Sequence, residues 1–538
     1  MKVIVIGGIA GGPSFATRFR RLNEQNEIVI LERGEYISIA SCALPYYLGG
    51  VITDRDSLIE RTPAVLKQKN NIDVRVHHEV TAIDPKRHVI NVTNLDADEQ
   101  YQESYDKLVL ATGARPVLPP IKGIETATNV FTLRSLADGD RIKNYLQSEN
   151  PKRVTILGAG AAGIELSENL RRIGMTVTLV DQADRVMQPY DGELTDFLQE
   201  ELVNNGVDVR LGETIDLVEE NGHELHLSDG SVLTTDMLLV VVGVTPNSEL
   251  AGNAGLQLSP DGHIIVDDQL ATSATDIYAI GDVIETTSRI TGLPVASMLS
   301  SAANRQGHLL ADILNGEPLR YPGFVGVSVA KVFNLTASMV GYSEQTLQAA
   351  GVTNYDSLFI TPFDHAYFYP NAKRLNIKVL YEPDTGRILG GQFVGENGVD
   401  KRAGELSAAI AGGLTIDDLP SIELPYSPPF SAPRDPLNLA GYVGINQRQQ
   451  ANQTVRYRDL TEPEKWAGTF LDIHEAGKPV SSKIDSDLAI PLTELRDRLN
   501  EVPTGHTVYI LYRKGLGPYN ASRILAGNGY DVKIVTDD

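Results

Sequence analysis

A glycine-rich turn set between a short apolar strand and an amphipathic helix occurs twice in this chain, which rules out an all-helical or all-β architecture. The first copy opens with Val3-Ile4-Val5-Ile6 and turns at Gly7-Gly8-Ile9-Ala10-Gly11-Gly12. A helix carrying Phe15, Ala16, Phe19 and Leu22 at helical spacing follows, then the strand Ile28-Val29-Ile30-Leu31, which ends on Glu32 and Arg33. The second copy runs Val154-Thr155-Ile156-Leu157, then Gly158-Ala159-Gly160-Ala161-Ala162-Gly163. It continues through a helix containing Ile164 and Glu165 to Val177-Thr178-Leu179-Val180, ending on Asp181. Glycines at such a turn let the backbone approach a pyrophosphate at a helix N-terminus, and the terminal acid hydrogen-bonds an adenosine ribose. A lone glycine turn says little, but turn, helix, strand and acid in this order point to nucleotide binding. Two copies imply two dinucleotides, a flavin and a nicotinamide, the minimum for passing a hydride from carrier to flavin to substrate.

At 538 residues the chain is too long for a single core. Its formal net charge of −23 argues against nucleic acid or an anionic membrane as a main partner. The apolar opening stops at the first glycine turn and reads as a buried strand, because a signal peptide needs a basic start and a longer apolar run. The expectation is a cytoplasmic protein with no membrane segment, and no metal-ligand set is assigned. One cysteine, Cys42, excludes any internal disulfide, so thiol chemistry needs a second thiol from outside.

Two further segments support a flavin site. Leu108-Val109-Leu110-Ala111-Thr112-Gly113-Ala114-Arg115-Pro116 is a buried strand closing on a glycine, and Ile277-Tyr278-Ala279-Ile280-Gly281-Asp282 places an aspartate where a helix can begin. With these residues and Val242-Gly243-Val244-Thr245-Pro246-Asn247, the chain resembles the pyridine nucleotide–disulfide oxidoreductases, in order over roughly the first 445 residues. The resemblance implies an α/β fold with two Rossmann-like domains, an α+β dimerisation domain and a C-terminal rhodanese-like α/β domain. The FAD domain is expected over 1–120 and 246–325, the NAD domain over 121–245 and the dimerisation domain over 326–445. FAD then falls to Gly7, Gly8, Gly11, Gly12, Glu32, Arg33, Thr112, Gly113, Gly281 and Asp282. NADH falls to Gly158, Gly160, Gly163, Glu165, Asp181 and Gly243, with Asp181 favouring NADH over NADPH.

Cys42 lies in Ser38-Ile39-Ala40-Ser41-Cys42-Ala43-Leu44-Pro45-Tyr46-Tyr47. Lone cysteines are commonly buried and inert. Here Ser41 is placed to cap a helix starting at Cys42, and a helix N-terminus favours a thiolate. Two-cysteine members of the family carry their second cysteine where this chain has Tyr47. The segment is similar to that of the single-cysteine coenzyme A-disulfide reductases and their rhodanese-tailed relatives, the CoA-persulfide reductases. That resemblance puts CoA at Cys42, with Arg18 and Arg21 of the Arg18/Arg20/Arg21 cluster, Ser38 and Lys69 as contacts; a solvated basic helix face explains the same residues. It also implies a homodimer in which two tyrosines reach the partner's cysteine. One matches Tyr426; the other falls at Phe368 within His365-Ala366-Tyr367-Phe368-Tyr369-Pro370, leaving Tyr367 or Tyr369 to serve, and Tyr369 is assigned. Ala161 replaces the aromatic flap that relatives place over the flavin.

Residues 446–458 read either as a linker or as the solvated end of a last body helix. From 459 to 538 the chain resembles a rhodanese domain, but Tyr512 occupies the position of the catalytic cysteine. The favoured reading is an NADH-dependent flavoprotein that reduces a CoA-based disulfide or persulfide through Cys42. An NADH oxidase or peroxidase using a Cys42 sulfenic acid, and a redox sensor or scaffold with a docking tail, are the alternatives.

Overall fold

The computed structural model describes residues 1–449, 454–474, 484–511 and 516–536. They form two compact units. The first comprises residues 1–188, 199–326 and 331–333; the second comprises 189–198, 327–330 and 334–538.

Two parallel sheets organise the first unit. In one, the strand order is Ile277–Ala279, Lys107–Leu110, Lys2–Ile6, Glu27–Leu31, Asp73–Arg75. The strands are apolar runs because both faces of a parallel sheet are covered. Val3, Ile4, Val5, Ile30 and Leu108 are wholly inaccessible to solvent. The helix Gly11–Leu22 turns Phe15 and Phe19 onto the sheet as a stacked pair, with ring centroids 5.2 Å apart. Burial of each ring contributes about 1.5–3 kcal/mol. The second sheet repeats the plan in the order Val207–Leu211, Thr176–Asp181, Arg153–Leu157, Met237–Val240, Val130–Thr132. In each sheet the strand before the glycine turn is where the strand order reverses. A crevice opens there at the carboxyl ends, where ligands of such sheets bind.

An antiparallel sheet, which but for residues 331–332 belongs to the second unit, has the order Val327–Val332, Leu335–Gly341, Ile388–Gly395, Leu375–Tyr381, Asp356–Ile360. Every residue of two of its three inner strands, Leu375–Tyr381 and Ile388–Gly395, is buried, Lys378 among them. The Lys378 ammonium is compensated by Asp191 at 3.1 Å, Glu193 at 2.8 Å and Glu344 at 2.9 Å. Burial alone would lower its pKa, but the three carboxylates outweigh that and raise it.

The tail in this unit is a third parallel sheet, ordered Thr454–Arg456, Val532–Thr536, Val508–Leu511, Thr469–Asp472, Leu488–Ala489. The helix Gly517–Gly527 packs Ala521 and Leu525 into a core with Leu471, Val508 and Ile510. Within the 446–458 stretch, the helix Pro436–Arg448 extends through Arg448 and Thr454–Arg456 is already an edge strand. Tyr512 lies outside the described residues. No helix among the described residues is long and apolar enough to cross a membrane.

Candidate active site

Glycine chemistry builds both crevices. At Gly7, where φ is +109°, an added Cβ would stand 2.1 Å from the Ala111 carbonyl oxygen, and at Gly12 it would stand 2.0 Å from that of Gly7. The second turn repeats this closure, with Gly163 placing a Cβ 1.8 Å from the Gly158 carbonyl oxygen. Gly160 differs: no atom lies within 4 Å of its Cβ position. Two glycines therefore close the second turn, and one leaves open space beside the helix N-terminus for a pyrophosphate. In the first turn the corresponding middle position is Ile9, which is 39% exposed.

The two acids are held alike. Glu32 accepts from the Gly8 and Gly34 amides, both at 2.8 Å. Asp181 accepts from the Ala159 amide at 2.6 Å and the Ala183 amide at 2.8 Å. Each carboxylate is thereby fixed at a strand end, where a ribose would lie. Glu32, Arg33, Gly7, Thr112, His78 and Asn247 help line a cavity of about 360 Å³ at the end of the first sheet. Asn247 locks its wall by donating to the Thr112 carbonyl at 2.8 Å, while its own amide donates to the Gly113 carbonyl at 2.9 Å. Asp282 sits in a 3₁₀ turn, Gly281–Val283, and is paired with Arg134 at 2.6 Å. Gly281 and Gly243 have positive φ, and Gly243 has no atom within 4 Å of its Cβ position. Arg134 and His78 were missed in the sequence, where neither belongs to a motif; Asn247 was seen only as the end of one.

Cys42 is exposed. The expected cap is not formed. Ser41, Cys42 and Ala43 make a 3₁₀ turn preceded by Ala40, and the α-helix begins only at Leu44, with no side-chain cap. Pro45, at the second helical position, has no amide hydrogen to be capped there. Of the basic cluster, Arg20 is structural: buried, it donates to the carbonyls of Asn70, Glu24 and Asn71. Arg18 is paired with Asp312 at 2.6 Å. Arg21 and Lys69 are exposed and make no ion pair among the described residues. Ser38 is buried in a left-handed conformation, φ 49°, with its amide on the Gly8 carbonyl at 2.8 Å. That bond joins the cysteine segment directly to the first glycine turn.

In the second unit, Tyr369 and Tyr426 belong to neighbouring loops joined by the Ala366 amide on the Pro428 carbonyl at 3.3 Å. Beneath them, Arg402 donates to Asp435 at 2.8 Å and to the Asp364 carbonyl at 2.9 Å, with both ionic partners buried. Burial alone would raise the Asp435 carboxyl, but the Arg402 guanidinium holds it below the usual range. The loops thus rest on a buried ion pair and present Tyr367, Phe368, Tyr369, Tyr426 and Phe430 to solvent. The Tyr367 and Phe368 rings pack edge to face, with centroids 5.6 Å apart.

Two dinucleotide crevices in one chain, with an accessible thiol tied to the first, define an oxidoreductase that holds FAD and a nicotinamide nucleotide. The pyridine nucleotide-disulphide oxidoreductase domain matches residues 1–307, and the dimerisation domain of that family matches residues 327–435. The chain belongs to this family. It is 35% identical to a coenzyme A disulfide reductase of Staphylococcus aureus over 442 residues, which is 82% of this chain and 99% of the relative. Among solved structures, the reduced CoADR-RHD of Bacillus anthracis is similar with a TM-score of 0.97 and 42% identity, over 99% of this chain and 96% of that one. An NAD-dependent persulfide reductase from A. fulgidus follows at 0.91 and 34%, over 100% and 99%. A water-forming NADH oxidase from Lactobacillus brevis matches at 0.80 and 30%, over 84% and 99%. The first two matches extend through the tail.

Proposed function

We propose that this chain is a cytoplasmic, homodimeric reductase that uses NADH to cleave a CoA-based disulfide or persulfide at Cys42. The observation that carries this reading is a single exposed cysteine, joined through Ser38 to the first nucleotide turn, in a chain similar to CoA-disulfide and persulfide reductases along its length. When bound, FAD would supply the redox chemistry that links hydride from NADH to the reduction of sulfur. The chain's own part is to hold and position. Glu32, Thr112, Gly113 and Asp282 retain the flavin nucleotide, and Gly158, Gly160, Gly163 and Asp181 retain NADH. Cys42, as thiolate, attacks a sulfur of the substrate and keeps one half as a mixed disulfide. Arg21 and Lys69 stand ready for the phosphates of CoA, Arg18 can join them by leaving Asp312, and Ser38 fixes the approach of the loop. The partner subunit's Tyr426 and Tyr369 protonate the departing thiolate, a task that Phe368 cannot perform.

The test is Cys42→Ser. Reduction of CoA disulfide should vanish while NADH still bleaches the flavin. Turnover of CoA disulfide at the parental rate would refute the assignment. A second reading, NADH oxidation with a Cys42 sulfenic acid, is favoured by Phe368, by Ala161 and by the likeness to an NADH oxidase. Intact mass of the protein before and after reductant separates the two, because a CoA adduct and an added oxygen differ widely in mass.

A further inference from the structure

The helix Leu44–Leu48 has five residues, too few to hold its shape unaided. Cys42 stands on the 3₁₀ turn Ser41–Ala43 that feeds it, and the Leu44 amide donates to the Ser41 carbonyl. Whatever fixes the short helix therefore fixes the backbone that carries the thiol. One wall is the helix Ala161–Arg172, where the Tyr46 hydroxyl donates to Glu165 Oε1 at 3.0 Å and a Cβ added at Gly49 would stand 2.4 Å from Asn169 Oδ1.

The other wall is the helix Leu136–Ser148, which meets both ends of the short helix. At the start, a Cβ added at Gly139 would stand 3.0 Å from Leu44 Cδ2. At the end, Lys143 Nζ donates to the Tyr47 carbonyl at 3.1 Å and to the Leu48 carbonyl at 3.2 Å, 5.2 Å from the centre of the Tyr47 ring. Gly139 and Lys143 are i and i+4, so one face of the longer helix makes both contacts. Beside them Asp140 accepts from Arg55 Nε at 2.9 Å and Nη2 at 2.6 Å, and Arg55 Nη2 also donates to the Tyr36 hydroxyl at 2.9 Å. The last carbonyls of a helix lack amide partners within it. Here the Tyr46 carbonyl accepts from the Val51 and Ile52 amides and that of Tyr47 from the Gly50 amide as well as from Lys143. Lys143 is half-buried and makes no ion pair among the described residues, so its charge is directed at these carbonyls.

We propose that Lys143 is a positioning residue for the redox thiol: by holding the last carbonyls of Leu44–Leu48, it fixes where Cys42 stands beside the first nucleotide crevice. The cysteine segment is then anchored on both sides, by the Ser38 amide on Gly8 before it and by Lys143 after it. Transfer between a bound flavin and sulfur depends on that placement, whereas transfer from NADH to the flavin does not.

This rests on the assignment of Cys42 as the redox thiol, so the probe is a disulfide that needs no CoA site. Dithiodipyridine converts Cys42, the only cysteine of the FAD-loaded full chain, to a mixed disulfide with pyridinethiol. NADH added without oxygen then gives the Cys42 thiolate, pyridinethione and NAD⁺: the hydride supplies the two electrons that break the S–S bond and the proton that leaves on the pyridine half. Absorbance reads the release, and bleaching of the flavin by NADH is measured separately with the thiol free. Lys143→Met keeps the stem without the donors; it should slow release about tenfold or more while bleaching stays at the parental rate. Lys143→Arg should restore most of the release, because a guanidinium donates to the same carbonyls. Hydrogen exchange in peptides spanning residues 38–52 should rise in Lys143→Met and fall back in Lys143→Arg. Tyr145→Phe is the control, since it removes a bond to the Asp236 carbonyl at 2.8 Å, where the same helix meets the second sheet, and should release at the parental rate. Unchanged release or unchanged exchange in Lys143→Met overturns the proposal. So does loss of flavin from Lys143→Met, or slowing as large in Lys143→Arg or Tyr145→Phe, each of which would make the lysine a general support. A parent that releases no pyridinethione would instead overturn the redox assignment of Cys42, and the proposal with it.

Discussion

Asp181 shows how much one side chain can settle. Two backbone amides fix both of its oxygens, so it presents a rigid negative charge where the adenosine ribose of NADH would sit. A 2′-hydroxyl can donate to it; a 2′-phosphate is repelled. The parent should therefore turn over NADH with a kcat/KM at least about tenfold above that for NADPH, a difference of roughly 1.4 kcal/mol. Asp181→Ala should narrow the ratio, and equal values in the parent would show that the acid does not discriminate. Residue identity was legible here because the acid ends a strand of a recognisable unit. It was not legible at Arg134, whose role comes from Asp282, 148 positions away.

The glycine turns make a sharper comparison at the level of the strand–turn–helix element. Gly163→Ala forces a methyl group against the Gly158 carbonyl, so the helix Ala161–Arg172 must leave its place on the sheet. Lower Tm and lost NADH reactivity are the expected results. Gly160→Ala meets no protein atom. It should leave Tm unchanged while raising KM for NADH, because only the pyrophosphate would meet the new methyl. A fall in Tm for both variants would show that Gly160 is also needed for folding. The loops carrying Tyr369 and Tyr426 depend on a different kind of support, the buried Arg402–Asp435 pair. Asp435→Asn leaves a guanidinium buried without its charge partner and should cost about 3–5 kcal/mol in urea unfolding. Its pH dependence has a definite sign. A carboxyl held below its unfolded pKa contributes stability above that value and loses it as pH falls through the lower, folded one. The parent's margin over Asp435→Asn should thus be full at neutral pH and shrink on acidification below about pH 4.

In the whole molecule, an exposed aromatic surface and a tail without cysteine are the features that need a partner or a purpose. Tyr367, Phe368 and Phe430 are each at least 65% exposed, and a second copy of the chain is the partner that the dimerisation domain implies. Phe430→Asp should convert a dimer to a monomer in sedimentation, and with it abolish disulfide reduction if the tyrosines act across the interface. The tail keeps the parallel sheet and core of a rhodanese-like domain, but sulfur transfer needs a thiolate that holds a persulfide. Full-length Cys42→Ser contains no cysteine, and thiosulfate:cyanide sulfurtransferase activity should be absent from it. Activity in that variant would mean that the tail uses chemistry other than a persulfide.

The nucleotide units were readable because everything that makes them lies within a short span of chain: an apolar strand, a turn that needs glycine, a helix with its aromatic stripe, and an acid. Period and spacing record such local requirements directly. The cysteine's surroundings were not readable in the same way. A serine before a cysteine suggested a cap, yet the chain enters its helix through a 3₁₀ turn and leaves Ser41 without that task. Tyr46 meets Glu165 across 119 residues, and Arg402 meets Asp435 only because a helix and a loop fold onto one buried site. Such pairs leave no periodic trace in the chain, since the energy that fixes them comes from burial and from charge compensation, and both arise only after the elements have packed.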